Sequence, residues 1–491
     1  MDRALLRIAI VGAGPGGLCT GKRLLDEGFE DFVILERAPD LGGTWNWNRY
    51  PGAECDVPSV LYSFSFDFKT DWSKPYATQP EILGYLHDFA DKFGLRKHIR
   101  CGDGVARACW DDASASWTLT LDSGTTVDAD VVVSAIGMFN EPAWPAIEGL
   151  DRFEGASWHS ARWNHNYDLT GARVAVIGSA ASAVQLVPEV VKVAGRVYLF
   201  QRTANWVNPK LDDPYTPEQI EQFREDPSIL WWFREQTERS MNEGMTFAIP
   251  ERNAESEAAG LAAIETVRDP DIRAELRPTH PFGCKRPLFS NVYYAAFNEP
   301  NLELVTDPID HITAHAVVTA GGFERAVDVI VVATGFETTK YLAAIDVAGR
   351  DGRGIADAWN DGPIAYLGVM TAGFPNLFMC YGPNTNNGSI LTMIEFQVEY
   401  LLAHLRRFAD DDISWVDVKP EAMQRYNDEV QDAIAGVRVW QAGCNTYYRS
   451  PSGRIVTQWP YSMDEYRART ATLDHDAFEV GRLSTTRRRR R

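Results

Sequence analysis

A glycine-rich turn near the start of the chain has the spacing needed to bind a dinucleotide. Residues 12–17 read Gly-Ala-Gly-Pro-Gly-Gly and follow an apolar run at 7–12 that is typical of a buried parallel strand. We expect a helix through Leu25 and a second strand at Phe32–Leu35. The glycines allow a tight turn and close approach to a pyrophosphate, whose charge the helix N-terminus favours. The expected contacts are Gly12, Gly14, Gly16 and Gly17.

The residue that ends this second strand adds a carboxylate to the predicted site. Glu36 lies 24 residues beyond Gly12. A carboxylate at this place accepts hydrogen bonds from the 2′-hydroxyl of a ribose. The first turn therefore predicts a dinucleotide with a free 2′-hydroxyl.

A second turn follows the same plan with the opposite charge. Residues 178–183 read Gly-Ser-Ala-Ala-Ser-Ala after the apolar run 173–178, and a strand is expected at Val197–Phe200. Arg202 lies 24 residues beyond Gly178, where a cation suits a 2′-phosphate and favours NADPH over NADH. Ala180 adds a methyl group where the backbone approaches the pyrophosphate, so we expect weaker or displaced binding. The residues of this turn are Gly178, Ser179, Ala180, Ala181, Ser182 and Ala183.

A third segment is aromatic and glycine-rich, which is typical of a functional loop. Residues 42–56 read Gly-Gly-Thr-Trp-Asn-Trp-Asn-Arg-Tyr-Pro-Gly-Ala-Glu-Cys-Asp. This run resembles the class B flavoprotein monooxygenases, specifically the Baeyer–Villiger monooxygenases. Their second signature appears as Phe153, Gly155, His159 and Trp163, although Asn164 stands where the family has Pro or Asp. Further resemblance lies at 201–203, 284–287, 333–335 and 373–377, so the similarity spans about residues 5–460.

The resemblance assigns the two turns to two cofactors. It implies FAD on the first turn, with the flavin lined by Gly43, Thr44, Trp45, Asp56, Tyr62 and Val105. It implies NADPH along the second turn from Ser179 to Gln185, with its 2′-phosphate near Arg202, Thr203 and Lys285. The segment from Trp440 to Arg454 would correspond to a mobile loop over the nicotinamide; the family often has Trp there, and this chain has Tyr447 and Tyr448.

The same resemblance implies a reaction. Arg286 matches the family's active-site arginine and Asp56 the carboxylate that positions it. NADPH would reduce FAD, and a C4a-peroxyflavin would insert one oxygen atom from O2 next to the carbonyl of a small apolar ketone. A guanidinium is always charged, so it can stabilise both an anionic peroxide and the oxyanion of the adduct. His159 is expected to form structural hydrogen bonds rather than to transfer protons.

Three other functions compete with this one. An N- or S-oxygenating flavin monooxygenase uses the same intermediate in its protonated form, and the match at 42–56 together with Lys285-Arg286 disfavours it. A pyridine-nucleotide disulfide reductase needs a redox cysteine pair. A non-catalytic flavoprotein would not need both Asp56 and Arg286.

The elements that must position these residues form an α/β fold with two Rossmann-like domains. We predict an FAD-binding domain from 1–145 and 345–491, an NADPH-binding domain from 146–208 and 281–344, and a helical insert at 209–280. The tripeptides Ala-Ile-Gly at 135–137 and Ala-Thr-Gly at 333–335 mark the predicted crossings between domains, and 376–381 reads as a buried strand.

Composition limits the remaining classes of function. The 491 residues carry a net charge of −20, which disfavours nucleic-acid binding, and the run 487–491 of five arginines is expected to be a solvated tail. No apolar run reaches membrane length and no signal peptide is evident, so a cytoplasmic protein is expected. The seven cysteines are scattered and never spaced as CxxC, which argues against a disulfide framework, a zinc site and a dithiol redox pair.

Overall fold

The computed structural model describes residues 3–483, so the arginine run 487–491 lies outside the described residues. The α-helices of this part of the chain are α1 (Pro15–Asp26), α2 (Thr44–Trp47), α3 (Gln79–Lys92), α4 (Ala181–Val191), α5 (Pro217–Glu225), α6 (Ser228–Gly244), α7 (Pro250–Ile264), α8 (Pro270–Glu275), α9 (Tyr293–Ala296), α10 (Ile355–Ala358), α11 (Ile390–Asp410), α12 (Pro420–Gly436) and α13 (Met463–Thr470).

Most strands are short, as is common for strands that alternate with helices and loops. They are β1 (Ile8–Val11), β2 (Phe32–Glu36), β3 (Ile99–Cys101), β4 (Val105–Asp111), β5 (Ser116–Leu121), β6 (Thr126–Ala129), β7 (Val131–Ser134), β8 (Ala156–His159), β9 (Arg173–Ile177), β10 (Arg196–Phe200), β11 (Val207–Asn208), β12 (Leu288–Phe289), β13 (Leu302–Val305), β14 (Ile309–Ile312), β15 (Ala316–Thr319), β16 (Glu324–Ala326), β17 (Val329–Val332), β18 (Asp346–Ala348), β19 (Leu377–Met379), β20 (Trp415–Val418) and β21 (Phe478–Gly481).

The first sheet contains the first glycine-rich turn. Its strand order is β19-β7-β1-β2-β3, and every neighbouring pair is parallel. All four residues of β1 and all four of β7 are buried, as expected for central strands that are covered on both faces. Pro15 occupies the first turn of α1, where no backbone N–H is needed. The predicted strands at 32–35 and 376–381 are therefore present as β2 and β19.

The second sheet repeats this plan. Its order is β13-β10-β9-β17-β8, again with every pair parallel. The central strands β9 and β17 carry the turns at 178–183 and 333–335 at their carboxyl ends. In an open parallel sheet, ligands bind beyond the carboxyl ends of the strands, so both sheets present their turns where a dinucleotide would lie.

The segment between the two halves of the second sheet is helical. Helices α5 to α8 occupy residues 217–275, and Thr216 and Gln219 form a reciprocal capping box at the start of α5. The prediction of an α/β fold with two Rossmann-like sheets and a helical insert is confirmed, whereas the domain boundaries remain predictions. Within residues 3–483, no helix combines the length and apolarity that a membrane crossing requires.

Candidate functional site

The first turn is packed so tightly that two of its glycines cannot be replaced. Gly12 has a φ of 106°, and a Cβ atom there would lie 2.7 Å from the carbonyl oxygen of Ala135. A Cβ on Gly17 would lie 1.9 Å from the carbonyl oxygen of Gly12. Without side chains at these positions, β1 and the start of α1 approach each other closely. This cradle fits a pyrophosphate, whose charge the N-terminus of α1 favours.

Gly14 meets the aromatic segment from the other side. A Cβ on Gly43, whose φ is 55°, would lie 2.8 Å from Cα of Gly14. The amide of Gly42 also donates to the carbonyl oxygen of Ala13 at 2.9 Å. The two glycine-rich segments therefore form one continuous backbone surface.

Gly16 lies where α1 packs against two neighbouring strand ends. A Cβ on Gly16 would lie 3.3 Å from Cβ of Cys380 and 3.4 Å from Cβ of Ala135. These distances are shorter than ordinary van der Waals contact between carbon atoms. Any side chain at position 16 would therefore push α1 away from the carboxyl ends of β7 and β19.

The carboxylate of Glu36 is held at the edge of this surface. One oxygen accepts a hydrogen bond from the amide of Ala13 and the other from the amide of Ala38, both at 2.8 Å. The side chain is buried. A carboxylate oxygen accepts more than one hydrogen bond, so Glu36 remains able to accept from a ribose hydroxyl.

The aromatic segment forms the wall beyond the glycines. The indole N–H of Trp45 donates to the hydroxyl of Tyr62 at 2.9 Å, and both rings are buried. Thr44 begins α2 directly after Gly43 and is exposed. Val105 lies elsewhere: it begins β4, two residues after Asp103, whose amide donates to the carbonyl oxygen of Glu36. Val105 therefore lies near the Glu36 end of the cradle.

The second turn has the same backbone conformation as the first at its first glycine. Gly178 has a φ of 109°, and a Cβ there would lie 2.5 Å from the carbonyl oxygen of Ala333. Ala180 has a φ of −92°, which suits any residue, and its side chain is exposed. Ala183 is fully buried where the first turn has Gly17. Of the remaining predicted contacts, Ala181 and Ser182 begin α4, and Ser179 lies two residues before it.

Cations gather next to the second turn. Arg202 is exposed just after β10, and its positive charge, together with burial as the larger cause, lowers the pKa of Lys285. The hydroxyl of Ser179 donates to the carbonyl oxygen of Thr203 at 3.3 Å, which joins this strand end to the turn. Two neighbouring cations repel each other unless an anion lies between them, so the group fits a phosphate.

The predicted catalytic pair is in direct contact. Arg286 Nη2 donates to Asp56 Oδ2 at 3.1 Å, although 230 residues separate the two in sequence. Burial raises the pKa of Asp56, and the charge of Arg286 opposes that shift. Burial also disfavours the charge on Arg286, but Asp56 raises its pKa above the ordinary value. The guanidinium is therefore charged at every physiological pH.

Gln185 of α4 contacts the loop that carries Asp56. Its amide nitrogen donates to the carbonyl oxygen of Glu54 at 3.0 Å and to Asp56 Oδ1 at 3.5 Å. Its amide oxygen accepts from the hydroxyl of Tyr50 at 2.9 Å and from the amide of Glu54 at 3.4 Å. The sequence assigned Gln185 to the nucleotide; in the structure its amide group contacts the 50–56 loop.

Two lysines fix the same loop to the helical insert. Lys74 donates to Glu54 at 2.6 Å and to Asp212 at 2.9 Å. Lys210, whose side chain is only 2% exposed, pairs with Glu54 and lies 3.5 Å from Asp212. Glu54 is thus shared by a cation of the first domain and a cation at the start of the insert, which restrains the loop from two sides.

A group of polar residues on the other side of Arg286 was missed from the sequence. Hydrogen bonds with Asn386 and Arg286 oppose the burial that raises the pKa of Tyr447. The hydroxyl of Tyr381 donates to Asn386 Oδ1. Tyr381 and Asn386 follow the buried strand β19, and polar residues beyond a buried parallel strand are a signal that could have indicated them.

The signature residues around His159 are structural. A Cβ on Gly155 would lie 2.5 Å from the carbonyl oxygen of Asp328 and from the ring of Phe153. His159 Nδ1 accepts from the amide of Ala161 at 3.1 Å, and burial lowers its pKa to about 4. The imidazole is therefore neutral at pH 7, as a structural hydrogen-bond acceptor should be.

One disulfide is present, although the cysteine spacing argued against a disulfide framework. Cys284 and Cys444 are joined by a disulfide, with Cα atoms 6.1 Å apart; the other five cysteines are free. Their separation of 160 residues conceals the contact, because the chain returns to the first domain before it reaches Cys444. Sequence spacing detects only cysteines that are close along the chain.

Fold and site together define a class of protein: a two-dinucleotide α/β oxidoreductase with a paired arginine and aspartate. Residues 5–226 match the model of the flavin-binding monooxygenase-like family. A Baeyer–Villiger monooxygenase of Streptomyces coelicolor is 40% identical, over 97% of this chain and 92% of the relative.

Solved structures agree with the sequence comparison. OTEMO in complex with FAD and NADP is 28% identical, with a TM-score of 0.87 over 97% of this chain and 99% of that chain. A cyclohexanone monooxygenase with bound ε-caprolactone is 31% identical, with a TM-score of 0.86 over the same shares. The chain belongs to the Baeyer–Villiger monooxygenase family of FAD-dependent oxidoreductases.

Proposed function

We propose that Arg286 and Asp56 are the catalytic pair of an enzyme that uses FAD, NADPH and O2 to insert one oxygen atom next to the carbonyl of a small apolar ketone. The product is an ester or a lactone. The observation that carries this proposal is the 3.1 Å contact between the two side chains, beside Gln185 of the helix that follows the second turn. Bound flavin would accept the electrons of NADPH and pass them to O2, which activates the oxygen.

The guanidinium of Arg286 has two tasks in this proposal. It stabilises the negative charge on the attacking oxygen, and then the charge that develops on the carbonyl oxygen of the ketone. A fixed donor that is charged in advance needs no reorganisation during the reaction, which is why such groups contribute strongly to catalysis. Asp56 orients the guanidinium and keeps its charge in place, and Gln185 and Glu54 restrain Asp56.

Each nucleotide has its own set of proposed contacts. FAD would be held by Gly12, Gly14, Gly16, Gly17 and Glu36, with its ring near Gly43, Thr44, Trp45 and Tyr62. NADPH would be held by the turn at 178–183, with Arg202, Thr203 and Lys285 around its 2′-phosphate. We place the enzyme in the cytoplasm, where cells keep NADPH available as a reductant.

The test separates flavin reduction from oxygen insertion. Arg286→Ala should still allow NADPH to reduce the flavin anaerobically, while ester formation falls roughly 10²–10³-fold. Asp56→Asn should lose less, because the guanidinium stays charged. Arg152→Ala, an exposed arginine paired with Glu148, is the matched control and should behave as the wild type.

Product analysis decides between the two oxygenation chemistries. Purified enzyme with NADPH is offered a cyclic ketone, a sulfide and a tertiary amine, and each product is quantified against NADPH consumed. Ester or lactone in proportion to NADPH supports the proposal. Oxidation of the sulfide or amine alone, or an unchanged ester yield in Arg286→Ala, contradicts it.

A further inference from the structure

The disulfide between Cys284 and Cys444 joins the two segments that meet at the proposed catalytic arginine. Cys284 directly precedes Lys285 and Arg286. Cys444 lies three residues before Tyr447, whose phenol hydrogen-bonds with Arg286. The covalent bond and the hydrogen bond therefore cross the same junction, between a segment next to the second sheet and a segment that returns to the first.

The two sulfur atoms differ in their accessibility. Cys284 is 2% exposed and follows Gly283, where a Cβ would lie 2.4 Å from the ring of Phe247. Cys444 is half-buried, and its neighbours Gly443 and Asn445 are exposed. A reductant therefore reaches the pair from the Cys444 side.

Aromatic packing brings the two segments together whether or not the bond is present. The ring of Phe247 lies 6.3 Å from that of Trp440 and 6.1 Å from that of Phe282. Arg449 donates to the carbonyl oxygens of Trp440 and Gly453, which folds the 440–454 segment on itself. These contacts hold the two thiols of the reduced protein near each other, so the bond can reform.

We propose that Cys284 and Cys444 are a reversible thiol–disulfide site that fastens the 440–454 segment over Lys285 and Arg286. On oxidation, two thiols and one molecule of hydrogen peroxide give the disulfide and two molecules of water. Flavin monooxygenases release hydrogen peroxide when they reduce oxygen without oxygenating a substrate. A dithiol reverses the reaction by two thiol–disulfide exchanges and leaves as its own disulfide.

The site gives the enzyme a response to its own unproductive turnover. Disulfides in a reducing compartment are usually transient or redox-sensing. With the bond closed, the segment cannot move away from Arg286 and from Lys285, a proposed 2′-phosphate contact, so nucleotide exchange slows. With the bond open, only aromatic packing and hydrogen bonds hold the segment. The expected effect on nucleotide exchange rests on the proposed function of the second turn as the NADPH site.

Thiol counting tests the bond itself. Denatured protein should show five titratable thiols after treatment with hydrogen peroxide and seven after dithiothreitol. Non-reducing peptide mapping should find the peptides of Cys284 and Cys444 linked. Seven thiols after peroxide treatment would overturn the proposal. Neither measurement depends on cofactors or on a ketone.

Kinetics and proteolysis test the consequence. The oxidised wild type should release NADP+ at least about fivefold more slowly than the reduced protein, and trypsin should cut after Arg449 at least about fivefold more slowly. Cys444→Ser should match the reduced wild type and ignore dithiothreitol. Cys101→Ser, which removes an exposed free thiol, should respond as the wild type does.

Each outcome separates this site from the proposed function. If the oxidised and reduced wild type released NADP+ at equal rates and were cut by trypsin at equal rates, the proposal that the disulfide fastens the 440–454 segment would be overturned. If NADP+ does not bind but the proteolysis rates still differ, the proposed nucleotide site is wrong, whereas the proposal that the disulfide fastens the 440–454 segment is supported. Should Cys444→Ser not fold, Cys284→Ala and the dithiothreitol titration of the wild type give the same comparison.

Discussion

The two nucleotide turns have the same backbone conformation at their first glycine, but they present different groups to a ligand. Gly12 and Gly178 have φ values of 106° and 109°, and each packs against the carbonyl oxygen of an alanine on a neighbouring strand, Ala135 or Ala333. Beyond that glycine the turns diverge. Gly17 lets α1 approach β1, whereas Ala183 carries a methyl group at the equivalent place, so α4 must stand farther from β9.

The charges at the strand ends diverge as well. Glu36 is buried and held by two amides, while Arg202 is exposed and unconstrained by burial. A close, rigid cradle suits a cofactor that stays bound, and a looser cradle with an exposed cation suits one that enters and leaves in each cycle. The shared glycine belongs to the fold, and the residues around it determine the ligand.

The largest effect is expected when glycine and alanine are exchanged at the equivalent positions 17 and 183, near the starts of α1 and α4. Gly17→Ala places a methyl group 1.9 Å from the carbonyl oxygen of Gly12, so we expect a loss of about 3 kcal/mol in the free energy of unfolding and loss of bound FAD. Ala183→Gly, the matched exchange, should cost only about 1 kcal/mol. Urea unfolding and flavin absorbance measure both. Equal effects would mean that the two turns are packed alike.

Nucleotide selectivity tests the charge difference. Arg202→Ala should weaken NADPH binding roughly 10–100-fold, the loss of a charge-assisted contact, and leave NADH binding nearly unchanged. Arg173→Ala is the control, because Arg173 pairs with Asp328 at the opposite end of β9. Titration with both nucleotides gives the ratio. A parallel loss for NADPH and NADH would show that Arg202 does not contact the 2′-phosphate.

Gln185 tests whether α4 serves the nucleotide or the first domain. Gln185→Leu removes the hydrogen bonds to Glu54 and Asp56, so we expect kcat for ester formation to fall about 10-fold, while the dissociation constant of NADPH changes less than about twofold. Gln185→Glu should shift the pH profile of kcat, because it adds a carboxylate beside Asp56. Weaker NADPH binding with unchanged kcat would return Gln185 to the nucleotide site.

Two buried histidines give the smallest expected effects, with opposite signs. Burial lowers the pKa of His404 to about 3, and within the described residues neither of its ring nitrogens has a hydrogen-bond partner. The unfolded chain takes up a proton near pH 6.5 and the folded one does not, so this residue reduces stability as pH falls from about 6.5 towards 3.

His404→Leu should therefore raise the free energy of unfolding by about 1 kcal/mol at pH 5.5 and flatten its pH dependence. His159→Leu should lower it at pH 8, where the imidazole is neutral in both states, since the amide of Ala161 loses its acceptor. Thermal unfolding between pH 5 and 8 compares them. Destabilisation by both substitutions would show that His404 has a packing role that outweighs its desolvation.

Much of this arrangement could be predicted from short stretches of sequence. The turns at 12–17 and 178–183 are recognisable because glycine spacing and the apolar strands before them are local signals. The pair of Asp56 and Arg286 was assigned only by family resemblance, since nothing local links residues 230 positions apart. The contacts of Gln185, Tyr381 and Asn386 and the Cys284–Cys444 bond depend on how distant segments meet, which spacing does not encode.

The order of the strands along the chain also determines when each sheet can be completed during synthesis. The second sheet is complete once Val332 has been synthesised, but the first sheet lacks its edge strand until Met379 and the covering helix α11 until Asp410. At about 5–20 residues per second, the ribosome adds that edge strand about 2–10 s later. The half of the protein that starts first thus finishes last, and its N-terminal strands wait on the ribosome for a partner encoded far downstream.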